Sequence, residues 1–271
     1  MSSPQAIFLG IVQGLTEFLP ISSSAHLRIV PALLGWPDPG AAFTAVIQLG
    51  TMAAVLIYFR RDLISIARAW ISELRVPRGE RSRDARLGWL IILGTVPIAI
   101  LGLAFKGVIE SGARDLYVIG IALIAFSMVM LAAERAGSHR RPLSDIDARD
   151  GTWIGFAQAL ALIPGVSRSG ATISAGLFRD FDRESAARYS FLLSVPAVVL
   201  SGLFELRDAG AGTGVSTVGL VLATLAAFVS GYAAIAWLLR FLAGHSLRTF
   251  VAYRIPLGML VITLAATGAI S

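Results

Sequence analysis

Charged residues cut this chain into long apolar runs separated by short arginine-rich stretches. Ala41 to Phe59, Leu87 to Phe105 and Leu116 to Ala133 contain no charge at all. About 20 apolar residues suffice to cross a bilayer as a helix. Reading each such run between charges predicts six crossings, at 41–59, 87–105, 115–133, 186–206, 215–240 and 249–269. Two more apolar stretches, 4–34 and 152–179, are interrupted midway by Pro20-Ile21-Ser22-Ser23-Ser24 and Pro164-Gly165-Val166-Ser167-Arg168-Ser169-Gly170. Proline breaks a helix and serine caps a new one. Each stretch therefore reads as a re-entrant helical hairpin, and the whole chain, 1–271, as a single all-α integral membrane domain.

Arginine placement orients these elements. The stretch from Arg60 to Arg86 holds eight arginines, Arg135, Arg140, Arg141 and Arg149 mark the next basic loop, and Arg179, Arg183 and Arg188 another. Arg240, Arg248 and Arg254 lie around the last basic loop, whereas the intervening loops 106–114 and 207–214 carry only Lys106, Arg114 and Arg207. The positive-inside rule puts the arginine-rich loops in the cytoplasm and both termini outside. Hairpin 152–179, flanked by basic loops, then enters from the cytoplasm, and hairpin 4–34 from outside.

The two halves also look duplicated. Gln13 aligns with Gln158, Pro20 lies near Pro164, and each proline precedes a serine-rich break followed by three crossings. Three is odd, so the second copy starts from the opposite face. The expected plan is an inverted-topology repeat, 1–134 and 152–271, whose broken helices meet near the midplane to form one site.

Composition narrows the chemistry. Hydrophobic residues make up 56% of the chain and charged ones 15%, against about 25% charged in soluble domains. There is no cysteine, which excludes disulfides, thiolate metal sites and cysteine nucleophiles. Three histidines, His26, His139 and His245, cannot build a histidine-rich metal centre. A net charge of +6 would suggest nucleic acid in a soluble chain, but 22 of the 23 basic residues are arginines packed into short loops, so topology explains it. No nucleic-acid partner is expected. The first apolar segment has neither a basic cluster before it nor a cleavage site after it, and is read as part of the mature protein.

A half-helix starting at each break exposes unpaired N–H groups and a positive dipole end, which suits phosphate. Arg168 adds a planar donor fork, and Ser22, Ser23, Ser24, Ser167 and Ser169 add hydroxyls, one of them a candidate nucleophile. Gly170, Thr172 and Gln158 lie along the second break and Glu17 precedes the first, with Gln13 one turn earlier. His26 follows Ser23 by three residues and Ser22 by four, on one helical face. Serine after proline is most often only a cap, and a lone histidine most often packs. A charge at the centre of a membrane, however, costs roughly 2.5–3.5 kcal/mol and marks function. Glu17 and Arg168 carry that argument. Arg28 either steers an anion at the outer mouth or simply snorkels.

Other phosphate signatures fail. The one lysine, Lys106, is not in a P-loop, and a Ser-Arg-x5-His phosphatase pattern starting at Ser167 meets Ser174 instead of histidine. Asp180-Phe181-Asp182 looks like an aspartyl-phosphate motif, but Glu184 stands where Thr or Val is expected, and capping is the reading preferred.

The segments Gln13-Gly-Leu-Thr-Glu-Phe-Leu-Pro-Ile-Ser-Ser-Ser-Ala-His26 and Pro164-Gly-Val-Ser-Arg-Ser-Gly-Ala-Thr172 closely resemble the two signatures of the undecaprenyl-diphosphate phosphatase family, the bacitracin-resistance proteins. The similarity extends through Phe43-Thr-Ala-Val-Ile-Gln-Leu-Gly50 and Ala187-Arg-Tyr-Ser-Phe-Leu-Leu-Ser-Val-Pro196, hence over most of the chain. The resemblance implies a multi-pass enzyme of the bacterial inner membrane that removes the terminal phosphate of the C55 lipid diphosphate. It also implies a divalent cation, Mg2+ or Ca2+, and bacitracin tolerance. The partners are then the polyprenyl diphosphate, membrane lipids and, as an option, a second copy of the chain.

Members of that family often carry Glu where this chain has Gln13. An amide oxygen still ligates a hard cation, but an amide cannot act as a base. The mechanism expected from these residues has Ser23 attack phosphorus with His26 as its base, Arg168 holding the phosphoryl group, and Glu17, with Gln13, binding the cation or orienting His26. Direct attack by His26 and attack by water remain open. The runner-up function is a flippase or transporter for a lipid phosphate or organic anion, using the same midplane site.

Overall fold

The computed structural model describes residues 1–105, 107, 115–208 and 214–270. Lys106 and Arg114, read above as sparse outer-loop charges, lie outside the described residues, as does the side chain of Arg207. Regular structure among the described residues is helical, apart from one isolated backbone bridge between Arg141 and Phe181. In chain order the helices are α1 (Ser3–Phe18), α2 (Ser23–Leu34), α3 (Gly40–Tyr58), α4 (Arg60–Ser72), α5 (Arg83–Ala104) and α6 (Leu116–Ala136). They continue as α7 (Ala148–Ala159), α8 (Arg168–Phe178), α9 (Arg183–Asp208), α10 (Thr217–Leu242) and α11 (Arg248–Ala266).

Five of these, α3, α5, α6, α10 and α11, are long and apolar enough to cross a membrane. The sixth expected crossing, 186–206, falls within α9, whose first two turns carry Arg183, Glu184 and Arg188. Both proline-interrupted stretches fold as helix, break and helix: α1 and α2 around Pro20, α7 and α8 around Pro164.

The stretch 60–86 is not simply a loop. Its first half is α4, which follows α3 after the single residue Phe59. Ile66 is its buried contact, and Trp70 packs edge-on against Trp89 of α5 with ring centres 5.4 Å apart. Alternating arginine and apolar residues gave a strong charge signal there, and that hid the helical period. Arg183, Arg188, Arg240, Arg248 and Arg254 likewise lie inside helices and not in loops. Arg188 reaches Asp62 of α4 at 2.6 Å.

Close backbone approach sets the packing around the breaks. Helix α1 lies mainly along α10, and α7 along α5. A methyl group at Gly10 would sit 2.2 Å from the Ala223 carbonyl oxygen, and one at Gly155 would sit 2.5 Å from Gly94 Cα. Only glycine fits either position. Phe18, Phe59 and Phe191 then join α1, the end of α3 and α9, Phe18 edge-on to Phe191 at 5.6 Å and Phe59 tilted against it at 6.0 Å.

The mouth of the second hairpin is closed by Asp150, whose buried side chain accepts from Arg141 at 2.8 Å and Arg179 at 2.6 Å. Arg141 also exchanges backbone hydrogen bonds with Asp180 and Asp182. Asp182 caps Ser185 through its amide and hydroxyl, and Asp180 accepts from the Ser138 amide, so the Asp180-Phe181-Asp182 sequence is a joint of the fold. Burial pushes the Asp150 carboxyl up, but its arginine hydrogen bonds outweigh this and hold it below the ordinary carboxylate range. Such a depressed group stabilises the fold above the unfolded carboxylate pKa, and that contribution is lost as pH falls through the depressed value. Asp150→Asn is expected to cost about 2–3 kcal/mol of stability near neutral pH. Melting curves of wild type and variant in detergent should converge as the pH falls below the carboxylate range; parallel curves would assign the stabilisation elsewhere.

Candidate active site

The two breaks have the same local construction. Leu19 and Ile163, each preceding a proline, are extended, as steric conflict with the proline ring requires. The chain then turns through a serine with positive φ, Ser22 at 74° and Ser167 at 76°, which serves as N-cap residue of the next helix. A residue bearing a Cβ in this region costs about 1–3 kcal/mol, a strain found at functional sites and held by the surrounding structure. Ser22 and Ser24 share a hydroxyl contact of 3.2 Å, and Ser167 and Ser169 one of 3.1 Å. Among the described residues nothing accepts from the amides of Ser23, Ser24 and Ala25 at the start of α2, or of Arg168 and Ser169 at the start of α8. These five donors, at the positive ends of two helices, are chemically suited to an anion.

Ser23 and Arg168 hold the same place, the first residue of each helix, and both reach Glu17. Arg168 Nη2 donates to Glu17 Oε1 at 2.6 Å, and Ser23 Oγ donates to Glu17 Oε2 at 2.6 Å. Gln13 Nε2 adds a 3.2 Å hydrogen bond to the same Oε2. The breaks touch directly as well, since Ser169 Oγ donates to the Leu19 carbonyl at 3.0 Å. Counting 145 residues on from Glu17 reaches Leu162, so one acid serves both helices.

The expected Ser23–His26 hydrogen bond is not formed. Ser23 opens its helix and its side chain turns back toward α1, where Glu17 takes it. His26 Nδ1 donates to the Ser22 carbonyl at 2.7 Å, and Nε2 lies 2.7 Å from the Tyr253 hydroxyl. Because a carbonyl can only accept, Nδ1 carries a proton, and in the neutral ring Nε2 then accepts a hydrogen bond from the Tyr253 hydroxyl. Gln158 also departs from expectation. It is fully buried against α5 and donates to the Gly94 carbonyl at 3.4 Å. Thr172 is bound to Ser190 at 2.5 Å and to the Arg168 carbonyl at 2.8 Å, locking α8 to α9. Gly170 gives its amide to the Ser167 cap. Arg28 is paired with Asp38 at 3.5 Å.

Two residues at the breaks, Tyr253 and Arg254, are absent from the site candidates that the sequence offers. Arg254 was counted among the loop arginines, yet it is wholly buried in α11 and reaches the carbonyls of both breaks. Its signal was present: an arginine one turn inside an apolar run, next to Tyr253.

The family profile described as "Bacitracin resistance protein BacA" matches residues 6–260. The chain belongs to this family. Among BacA relatives, an undecaprenyl-diphosphatase of Nocardioides sp. is 54% identical over 268 residues, 98% of each chain. One from Mycolicibacterium gilvum is 54% identical over 275 residues, all of this chain and 99% of its own. Another from Myxococcus xanthus is 54% identical over 274 residues, all of this chain and 92% of its own. The BacA match thus spans both breaks and the helices that hold them.

The Glu17–Arg168 pair makes a prediction independent of turnover. Arg168→Met strands a buried carboxylate and should cost about 3 kcal/mol of stability, whereas Arg168→Met with Glu17→Gln should recover most of it. A double-mutant cycle in detergent measures the coupling, and additive losses would mean that the pair is not coupled.

Proposed function

We propose that this chain hydrolyses undecaprenyl diphosphate to undecaprenyl phosphate and inorganic phosphate in a bacterial cell membrane. It thereby recycles the lipid carrier of envelope polymers and confers bacitracin tolerance. The observation that carries this reading is Glu17 receiving both Ser23 and Arg168, one from each break, beside five open amides. The relatives' shared name supplies the substrate.

In the proposed mechanism the terminal phosphoryl group lies against the open amides and Arg168. There its developing charge meets fixed donors in a site that needs no reorganisation. Ser23 Oγ attacks the terminal phosphorus and passes its proton to Glu17 Oε2, which already accepts that hydroxyl. The bond to the bridging oxygen breaks, undecaprenyl phosphate leaves, and water then cleaves the phosphoserine to release phosphate. His26 is held aside by Tyr253 and the Ser22 carbonyl, and in this scheme it orients the break that carries Ser23. Gln13 Oε1 is buried without a partner next to Glu17. With Glu17 and diphosphate oxygens, it makes a hard oxygen set suited to Mg2+ or Ca2+. A cation bound there would neutralise charge on the diphosphate.

The proposed arrangement is six crossings and two re-entrant hairpins related as an inverted repeat. Matching packing supports it: α1 on α10 mirrors α7 on α5, and Gly10, Ser22 and Ser23 correspond at an offset of 145 to Gly155, Ser167 and Arg168. The arginine-rich loops then face the cytoplasm and both termini face outside. Pro37→Cys should be labelled from outside intact cells and Gly79→Cys should not; the reverse pattern would invert the orientation.

Purified protein in detergent should release phosphate from undecaprenyl diphosphate without a compartment, and transport without hydrolysis would favour a flippase instead. Ser23→Ala and Glu17→Gln are each expected to lower kcat by about 10²–10³-fold, with the double variant little worse. Near-normal turnover of Ser23→Ala would rule out serine attack, and near-normal turnover of Glu17→Gln would move the base elsewhere. Gln13→Glu should tighten cation binding with little change in turnover at saturating metal; higher saturated turnover would make this position a base.

A further inference from the structure

A broken helix frees two kinds of backbone group. The N–H groups that follow the break attract an anion, but the C=O groups that precede it repel one. Three of the freed carbonyls, from both breaks, converge on a single side chain. Arg254 Nη1 donates to the Pro20 carbonyl at 3.1 Å, and Nη2 to those of Gly165 and Val166 at 2.9 and 3.2 Å. Its Nε donates to Ser127 Oγ at 3.1 Å, which fixes the plane of the fork against α6. Arg254 is 0% exposed and forms no ion pair with an acid among the described residues. Arg168 and Glu17 cancel one another, so Arg254 leaves a net positive charge directly behind the two helix starts.

We propose that Arg254 is a positioning residue that selects for ligand charge. It turns carbonyls of both breaks away from the ligand, and its uncompensated charge favours a diphosphate over a monophosphate. This rests on reading the breaks as a diphosphate site. Lysine can supply the charge but not the planar fork; glutamine can supply two donors but no charge.

The test measures binding of inorganic diphosphate and inorganic phosphate in detergent, by thermal stabilisation, alongside turnover of a prenyl diphosphate. Arg254→Gln should weaken diphosphate binding by about tenfold more than phosphate binding, because the lost attraction scales with ligand charge. Arg254→Lys should keep the diphosphate preference while kcat falls, because the breaks are no longer clamped in register. Equal weakening of both ligands in Arg254→Gln, or loss of the preference in Arg254→Lys, would overturn the proposal. If Arg254→Gln does not yield monodisperse protein, Arg254→Lys decides alone: a retained preference supports it and a lost one sinks it. A wild type that prefers diphosphate but releases no phosphate would remove the hydrolase reading and leave the role of Arg254 standing.

Discussion

Backbone polar groups cannot be left unsatisfied in an apolar medium, and this constraint organises the molecule. Each unpaired group in a hydrocarbon surrounding costs several kcal/mol, yet Pro20 and Pro164 interrupt two helices inside the bundle. Everything near the breaks answers that problem. Arg254 takes carbonyls from both, Ser169 takes the Leu19 carbonyl, and Ser167 caps Gly170. Among the described residues, five amides at the two helix starts have no acceptor, and they are suited to phosphate oxygens.

The same solution explains why the site is made from two distant parts of the chain. Neither break can be completed alone: the first brings the acid and the hydroxyl, the second the guanidinium. Glu17 without Arg168 would be an uncompensated buried charge, and Arg168 without Glu17 likewise. Their pairing at 2.6 Å spans 151 residues of sequence and ties the strained serines Ser22 and Ser167 into one body. Strain at those serines persists because the packing around them is tight, with backbone contact at Gly10 and Gly155 on the supporting helices.

A second tier of charged contacts holds this centre in place without taking part in it. Asp150 with Arg141 and Arg179 closes the mouth of one hairpin. Glu134 at the end of α6 accepts from Arg183 and from the Leu247 amide, joining α6 to the starts of α9 and α11. The arginines on which the expected orientation rests are therefore partly structural as well. Arg183, Arg179 and Arg188 each bind a named carboxylate, and not only the aqueous phase.

Much of this was legible in the sequence. Apolar run length and proline and serine placement determine helices and breaks and point to an anion site, because those signals are local and follow from single-residue preferences. Glu17 and Arg168 stood out since a charge in such surroundings is expensive. Which atoms meet was decided only by the tertiary structure. The spacing of Ser23 and His26 permitted a hydrogen bond, but the direction of a first-turn side chain gave Ser23 to Glu17, and Tyr253, 227 residues away, took His26. Arg254 looked like one more loop arginine because its partners are backbone carbonyls, which leave no trace in residue type. Gln158 matched Gln13 by position, yet it faces Gly94, because a shared repeat position fixes the fold around a residue and not the neighbour that its side chain finds.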